Sequence, residues 1–170
     1  MIRIHNLPKI FLQNTNINRF LNTILAMFSN WFHKDPNKIG FEDIKYAMEH
    51  LDMYIIINTL HANEQGCLIK GTLSLETETV LMNSMIEDGD LHVKTIIVYG
   101  KNAVDSSSEK KYHQLRSLGF SKLAIYSGGI FEWVLLQDIY GSTEFPTTGR
   151  ELDLLKYRPP KTYGKLLIKG

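Results

Sequence analysis

From Pro36 onward the apolar residues fall into a regular order. Phe41, Ile44, Ala47, Met48 and Leu51 recur at helical spacing, which predicts a short helix over Glu42 to His50. Tyr54 to Ile57 is a continuous apolar run without polar alternation, the signature of a strand covered on both faces. A polar loop over Asn58 to Gly66, a brief strand over Cys67 to Ile69 and a helix over Leu75 to Ile86 follow, the helix turning Val80, Leu81 and Met85 inward. Glu87-Asp88-Gly89-Asp90 breaks it.

Thr95 to Tyr99, β-branched and apolar, carries the strongest strand signal of the chain. After a loop from Gly100 to Asp105, Ser106 and Glu109 have capping-box spacing, which predicts a helix from there to about Leu118 with Gly119 as its stop. A strand over Lys122 to Tyr126 and a helix over Ile130 to Ile139 complete the series. Such alternation predicts an α/β fold, a single domain whose central parallel sheet is flanked by helices on both faces. Residues 1–35 read as a basic N-terminal extension, 36–140 as the domain, and 141–170 as a wrap and tail with one short amphipathic segment, Glu151 to Tyr157. Leu166 to Ile168 is placed to pair at a sheet edge, meet a partner or stay mobile.

Composition narrows the classes. Nineteen basic residues against eighteen acidic ones argue against a strong nonspecific grip on nucleic acid. The lone Cys67 excludes an intrachain disulfide and a cysteine-rich zinc site, and fits a reducing compartment in cytoplasm or virion. His50, His61, His92 and His113 show no ligand spacing, so neither a metal nor another cofactor is expected. The first 34 residues lack Asp and Glu, carry Arg3, Lys9, Arg19 and Lys34, and space Ile10, Phe11, Phe20, Leu21, Ile24, Leu25 and Phe28 roughly as a helix would. A membrane-surface helix, an organellar targeting segment, a docking arm and a helix over one end of the core all fit that pattern, the last being the commonest use of an apolar stripe. Met27 is an alternative start.

In a parallel α/β sheet, ligands bind beyond the carboxyl ends of strands, where loops gather and helix N-termini offer free N–H groups. The turn from Tyr99 to Ser106 is such a place. The strand and loop entry Ile96-Ile97-Val98-Tyr99-Gly100-Lys101-Asn102, with the later Ser127-Gly128-Gly129-Ile130-Phe131-Glu132-Trp133, resembles the active-site strand and closing glycine motif of the rhodanese superfamily over residues 41–140. The resemblance implies a rhodanese-like fold in which enzymes place a cysteine after this strand and cradle its sulfur and an anionic substrate with loop amides. Here Gly100 stands at that position, and Lys101, Asn102, Ala103 and Val104 include no cysteine, serine or threonine. Asp105 adds a negative charge that opposes an anion, and Lys101 partly compensates. The family's Asp-x-Arg and Gly-His-Ile-x-Gly-Ala segments are replaced by Asn58-Thr59-Leu60 and Gly66-Cys67-Leu68-Ile69-Lys70-Gly71-Thr72.

Two nucleophile substitutes stand against the loss. Cys67 sits in an apolar context, where a free cysteine is usually a small buried hydrophobe. Ser106, Ser107 and Ser108 lie at the loop exit, but His113 is two turns down the helix from Ser106, whose expected work is capping. The mixed polar and aromatic helix with Glu132, Trp133, Gln137 and Asp138 could face a partner, but Phe131, Trp133, Leu135, Leu136 and Ile139 are expected to pack the sheet with the polar residues solvated. The strings INTLHANEQGCLIKGTLSLE, IIVYGKN and GGIFEWVLLQDIYGSTEFPTTGRELDLLKY also resemble rhodanese-like proteins of large DNA viruses of algae and protists. Together these readings lead to the expectation of a noncatalytic rhodanese-like module that binds an unidentified protein or serves as a structural part of a virion or other large complex. The opposing expectation is a divergent sulfurtransferase or phosphatase using Cys67.

Overall fold

The computed structural model describes residues 35–163. The basic N-terminal arm, Met27 and the Leu166 to Ile168 segment lie outside the described residues. In chain order the elements are β1 (Lys38–Ile39), α1 (Phe41–Glu49), β2 (Tyr54–Asn58), a 3-10 turn (Ala62–Glu64), α2 (Leu75–Asp88), β3 (Thr95–Tyr99), α3 (Ser107–Ser117), β4 (Leu123–Tyr126), α4 (Gly129–Tyr140) and a 3-10 turn (Leu154–Tyr157).

The strands form one parallel sheet in the order β1-β4-β3-β2. Their apolar runs are continuous because both faces are covered. Ile56, Ile97, Tyr99, Ala124 and Tyr126 pack with α1, α4, Phe145 and Tyr157. The alternate residues Ile55, Ile57, Ile96, Val98, Leu123 and Ile125 pack with Met82, Met85, Tyr112 and Leu115 of α2 and α3. The period-2 geometry of a strand thus divides one apolar string between two cores. The helix ends also follow sequence signals. Ser74 caps α2 by accepting the Thr77 amide, Gly89 ends it in the left-handed conformation (φ +77°), and Gly119 (φ +101°) ends α3.

Four expectations need correction. Cys67 to Ile69 is not a strand: Ile69 makes a single antiparallel bridge to Thr147, while Thr72 bridges the sheet edge at Ile56. The segment spends its hydrogen bonds on the C-terminal wrap instead, through Leu68 to Thr148 and Lys70 to Pro146. On α2 it is Met82 and Met85 that face inward, and Val80 is exposed. Leu81 packs against that core as expected, and Glu78, buried against Lys111 of α3 at 2.6 Å, shares the same helical face. On α4, Ile139 is exposed, whereas Glu132 and Gln137 are engaged within the fold: Glu132 accepts from the Tyr126 hydroxyl, and Gln137 donates to the Phe145 carbonyl and Thr147. Trp133 is fully buried as expected, its indole N–H donating to the Pro146 carbonyl. β1 is too short to leave a periodic signal; it joins the edge of β4, where the Ile125 amide reaches the Asn37 carbonyl.

Candidate functional site: the turn after β3

The carboxyl ends of β2, β3 and β4 meet where α3 and α4 begin. Two backbone features build the turn after β3. Gly129 has φ +63°, and a Cβ there would lie 2.6 Å from the Gly100 carbonyl oxygen and 2.8 Å from the Asn102 amide nitrogen. Only glycine tolerates both the conformation and the approach. This closeness lets the first amides of α4 hold the turn, with Ile130 donating to Gly100 and Phe131 to Lys101, each at 3.0 Å. The paired-glycine motif and the strand-exit motif are therefore one structure.

Inside the turn, the buried Asn102 donates to the Tyr157 carbonyl (2.8 Å) and accepts from the Val104 amide (3.2 Å), tying the C-terminal wrap to the loop. Ala103 and Val104 are exposed and bring no titratable or nucleophilic side chain to the turn. Lys101 turns its ammonium to Glu64 at 2.5 Å, so its charge is spent chiefly there, and it is a minor influence on Asp105. The Tyr157 hydroxyl donates to the Glu64 carbonyl, fastening the same segment from the other side, while Glu64 Oε2 is buried with no protein partner. A cavity of about 460 Å³ opens above, bordered by His61, Lys101, Asp105, Ser106, Arg158 and Pro160.

Asp105 governs the centre. Its Oδ2 accepts the Lys101 amide (2.8 Å) and the Ser107 hydroxyl (2.8 Å), and its Oδ1 accepts the Ser107 amide (3.0 Å). Burial by itself would raise this carboxyl, but those hydrogen bonds, with the Lys101 charge, outweigh it and hold the group below its ordinary value. Asp105 thus takes the capping work expected of Ser106, which sits in a helical conformation and makes no side-chain cap bond. A Cβ on Gly100 would lie 2.6 Å from Asp105 Oδ2 and 3.1 Å from Ser107 Oγ. The position that would carry a nucleophile is therefore glycine, and the space beside it is filled.

The substitutes fare poorly by geometry. Ser107 Oγ is held between Asp105 and Thr59 Oγ1 (2.6 Å), and a carboxylate with a lowered pKa is a weak base for activating it. Ser108 is buried and bonded to the Asp105 carbonyl, and Ser106 has no histidine beside it in the cavity except the rim residue His61. Cys67 is buried, borders none of that cavity and donates its thiol to the Gly149 carbonyl at 3.3 Å. Burial raises its pKa, which disfavours the thiolate needed for attack. Among the described residues, no group of three or more His, Cys, Asp or Glu is placed to hold a metal ion. Glu64 was not singled out by the sequence, and Thr59 entered only within the Asn58-Thr59-Leu60 replacement, since nothing local announces that a residue in the β2 loop will meet the β3 loop. The Asp105-x-Ser107 spacing, an aspartate accepting an amide two residues on, is the one local signal that could have reassigned the cap.

No curated protein matches the chain. Among solved structures, BH2092 from Bacillus halodurans is 17% identical, covering 79% of this chain and 87% of its own at a TM-score of 0.50. A yeast protein, Ygr203w, described as a protein tyrosine phosphatase of the rhodanese family, is 17% identical, covering 74% of this chain and 99% of its own at a TM-score of 0.52. At these identities the likeness speaks for the fold alone, and it agrees with the parallel sheet. The model of the rhodanese-like domain matches residues 26–136, more than half of the chain, and with the sheet and turn described above it places this protein in the rhodanese-like family.

Proposed function

We propose that this is a noncatalytic rhodanese-like domain that works as a protein-binding or structural module. One observation carries the reading: at the end of β3 the chain has Gly100, and the atom through which any nucleophilic side chain would attach there falls 2.6 Å from Asp105 Oδ2. Without a nucleophile the two-step covalent route to sulfur or phosphoryl transfer has no first step. The framework, by contrast, is held by backbone hydrogen bonds and a full double core, which is what a binding module needs. The likeness to proteins of large DNA viruses makes a virion or an infected-cell complex the setting we favour. The competing enzyme reading through Cys67 draws no support from a buried thiol that donates to a carbonyl.

The test is activity of the full chain with thiosulfate as sulfur donor and with an aryl phosphate, beside a Cys67→Ser variant. The expected result is no turnover above buffer in either protein. Turnover by the natural chain that disappears in Cys67→Ser would replace this reading with the enzyme.

A further inference from the structure

The turn after β3 already holds an anion, and the anion is the chain's own. Asp105 engages one amide from the loop, that of Lys101, and one from the first turn of α3, that of Ser107, together with the Ser107 hydroxyl. These donors come from two different segments and converge on one carboxylate. Its Oδ2 stands against the end of β3, within 2.6 Å of a Cβ built on Gly100, so the group lies over the strand end where it borders the cavity.

Two physical consequences follow. Two donors that an external oxyanion would use at this strand end, the Lys101 and Ser107 amides, are engaged, and such an anion would also meet a like charge in a half-buried setting. A tethered ligand pays little of the translational and rotational cost that a free anion pays on binding, so it competes at a high effective concentration. The surrounding residues reinforce the arrangement. Thr59 holds Ser107 from the far side, and Lys101, the nearest cation of the loop, is drawn off to Glu64.

We propose that Asp105 is an internal plug: its carboxylate occupies the turn after β3 as a tethered ligand, keeping that place closed to external oxyanions while ordering the loop. The role is independent of whether the chain catalyses anything through Cys67. It also accounts for the small size of the neighbouring residue, because any side chain at Gly100 would have to displace the carboxylate.

The experiment uses the full chain, titrated with sodium sulfate against sodium chloride of equal ionic strength, while the backbone amide resonances of Lys101 and Ser107 are followed. In the natural chain neither resonance is expected to show a saturable change specific to sulfate. In Asp105→Ala both should move together and saturate, and the melting temperature should rise with sulfate. Asp105→Ser is the second variant, since serine is a good helix cap and is short enough to leave the place open. Saturable sulfate shifts at these amides in the natural chain would overturn the plug, because the place would be open with Asp105 present. A folded Asp105→Ala or Asp105→Ser chain without saturable shifts would overturn it as well, because the carboxylate would then be a cap and no more.

Discussion

Two strand-to-helix turns lie side by side at the same end of the sheet, and they differ in what their sequence is used for. The turn after β4 is built from backbone: Gly129 leaves room for the Gly100 carbonyl, and the first amides of α4 support the neighbouring loop. The turn after β3 is built from side chains, with Asp105, Asn102 and Ser107 filling it from within. The first turn therefore fixes where the loop after β3 lies, and the second determines what fills it. Backbone support and side-chain filling are thus carried by separate parts of the same sheet end.

The contrast can be broken at its strongest point first. Gly129→Ala should cost about 3 kcal/mol, combining a left-handed backbone with overlap onto the backbone of Gly100 to Asn102. Denaturant unfolding measures it. Gly128→Ala is the informative companion, because the nearest atoms its Cβ would meet belong to Glu132, whose carboxylate can move at the loss of its bond to Tyr126 while its Cβ, at 2.8 Å, must give slightly. A loss as large at Gly128 would show that the two glycines are not distinct in role.

Asn102→Ala should be next in size. It leaves the Tyr157 carbonyl without its partner in a buried place and takes the acceptor from the half-buried Val104 amide, costing about 2 kcal/mol. It should also loosen the C-terminal wrap, which limited proteolysis near Tyr157 would detect. Asp105→Ala should cost less, about 1 kcal/mol, as for the loss of a helix cap. Its effect should fall on hydrogen exchange at Lys101 and Ser107 while leaving the exchange of β3 unchanged.

The smallest effect is the dependence on pH. Asp105 is held below its ordinary value, so its contribution to stability is complete above the unfolded-state pKa, near ~3.9. It should disappear as the pH falls through the lower folded value. The stability difference between the natural chain and Asp105→Asn should therefore be constant near neutrality and shrink below about pH 4. A difference that grows on acidification would contradict the assignment of Asp105 as a bonded carboxylate.

Much of the fold was legible because strands buried on two faces leave unbroken apolar runs, and Tyr54–Asn58 and Thr95–Tyr99 do so. The helix stops at Gly89 and Gly119 were legible for a comparable reason, since the left-handed conformation favours one residue. Val80 was misread because one member of the inward face is a charged residue: Glu78, held by Lys111 of α3, shares a face with Leu81, Met82 and Met85, and Val80 lies on the opposite side. At the site, the glycine at the strand exit and the charge of Asp105 could be read directly. That Asp105 caps α3 in place of Ser106, or that Lys101 is spent on Glu64, depends on contacts made by the folded loops.

The most direct test of the central claim restores the missing residue with and without the residue that fills its place. Gly100→Cys and the double variant Gly100→Cys with Asp105→Ala would be treated with thiosulfate and analysed by peptide mass for a gain of sulfur at position 100. The carboxylate should both crowd the new side chain and disfavour its thiolate, so the account expects little or no persulfide in the single variant and a clear gain in the double one. Equal persulfide formation in the two variants would show that Asp105 does not control the turn.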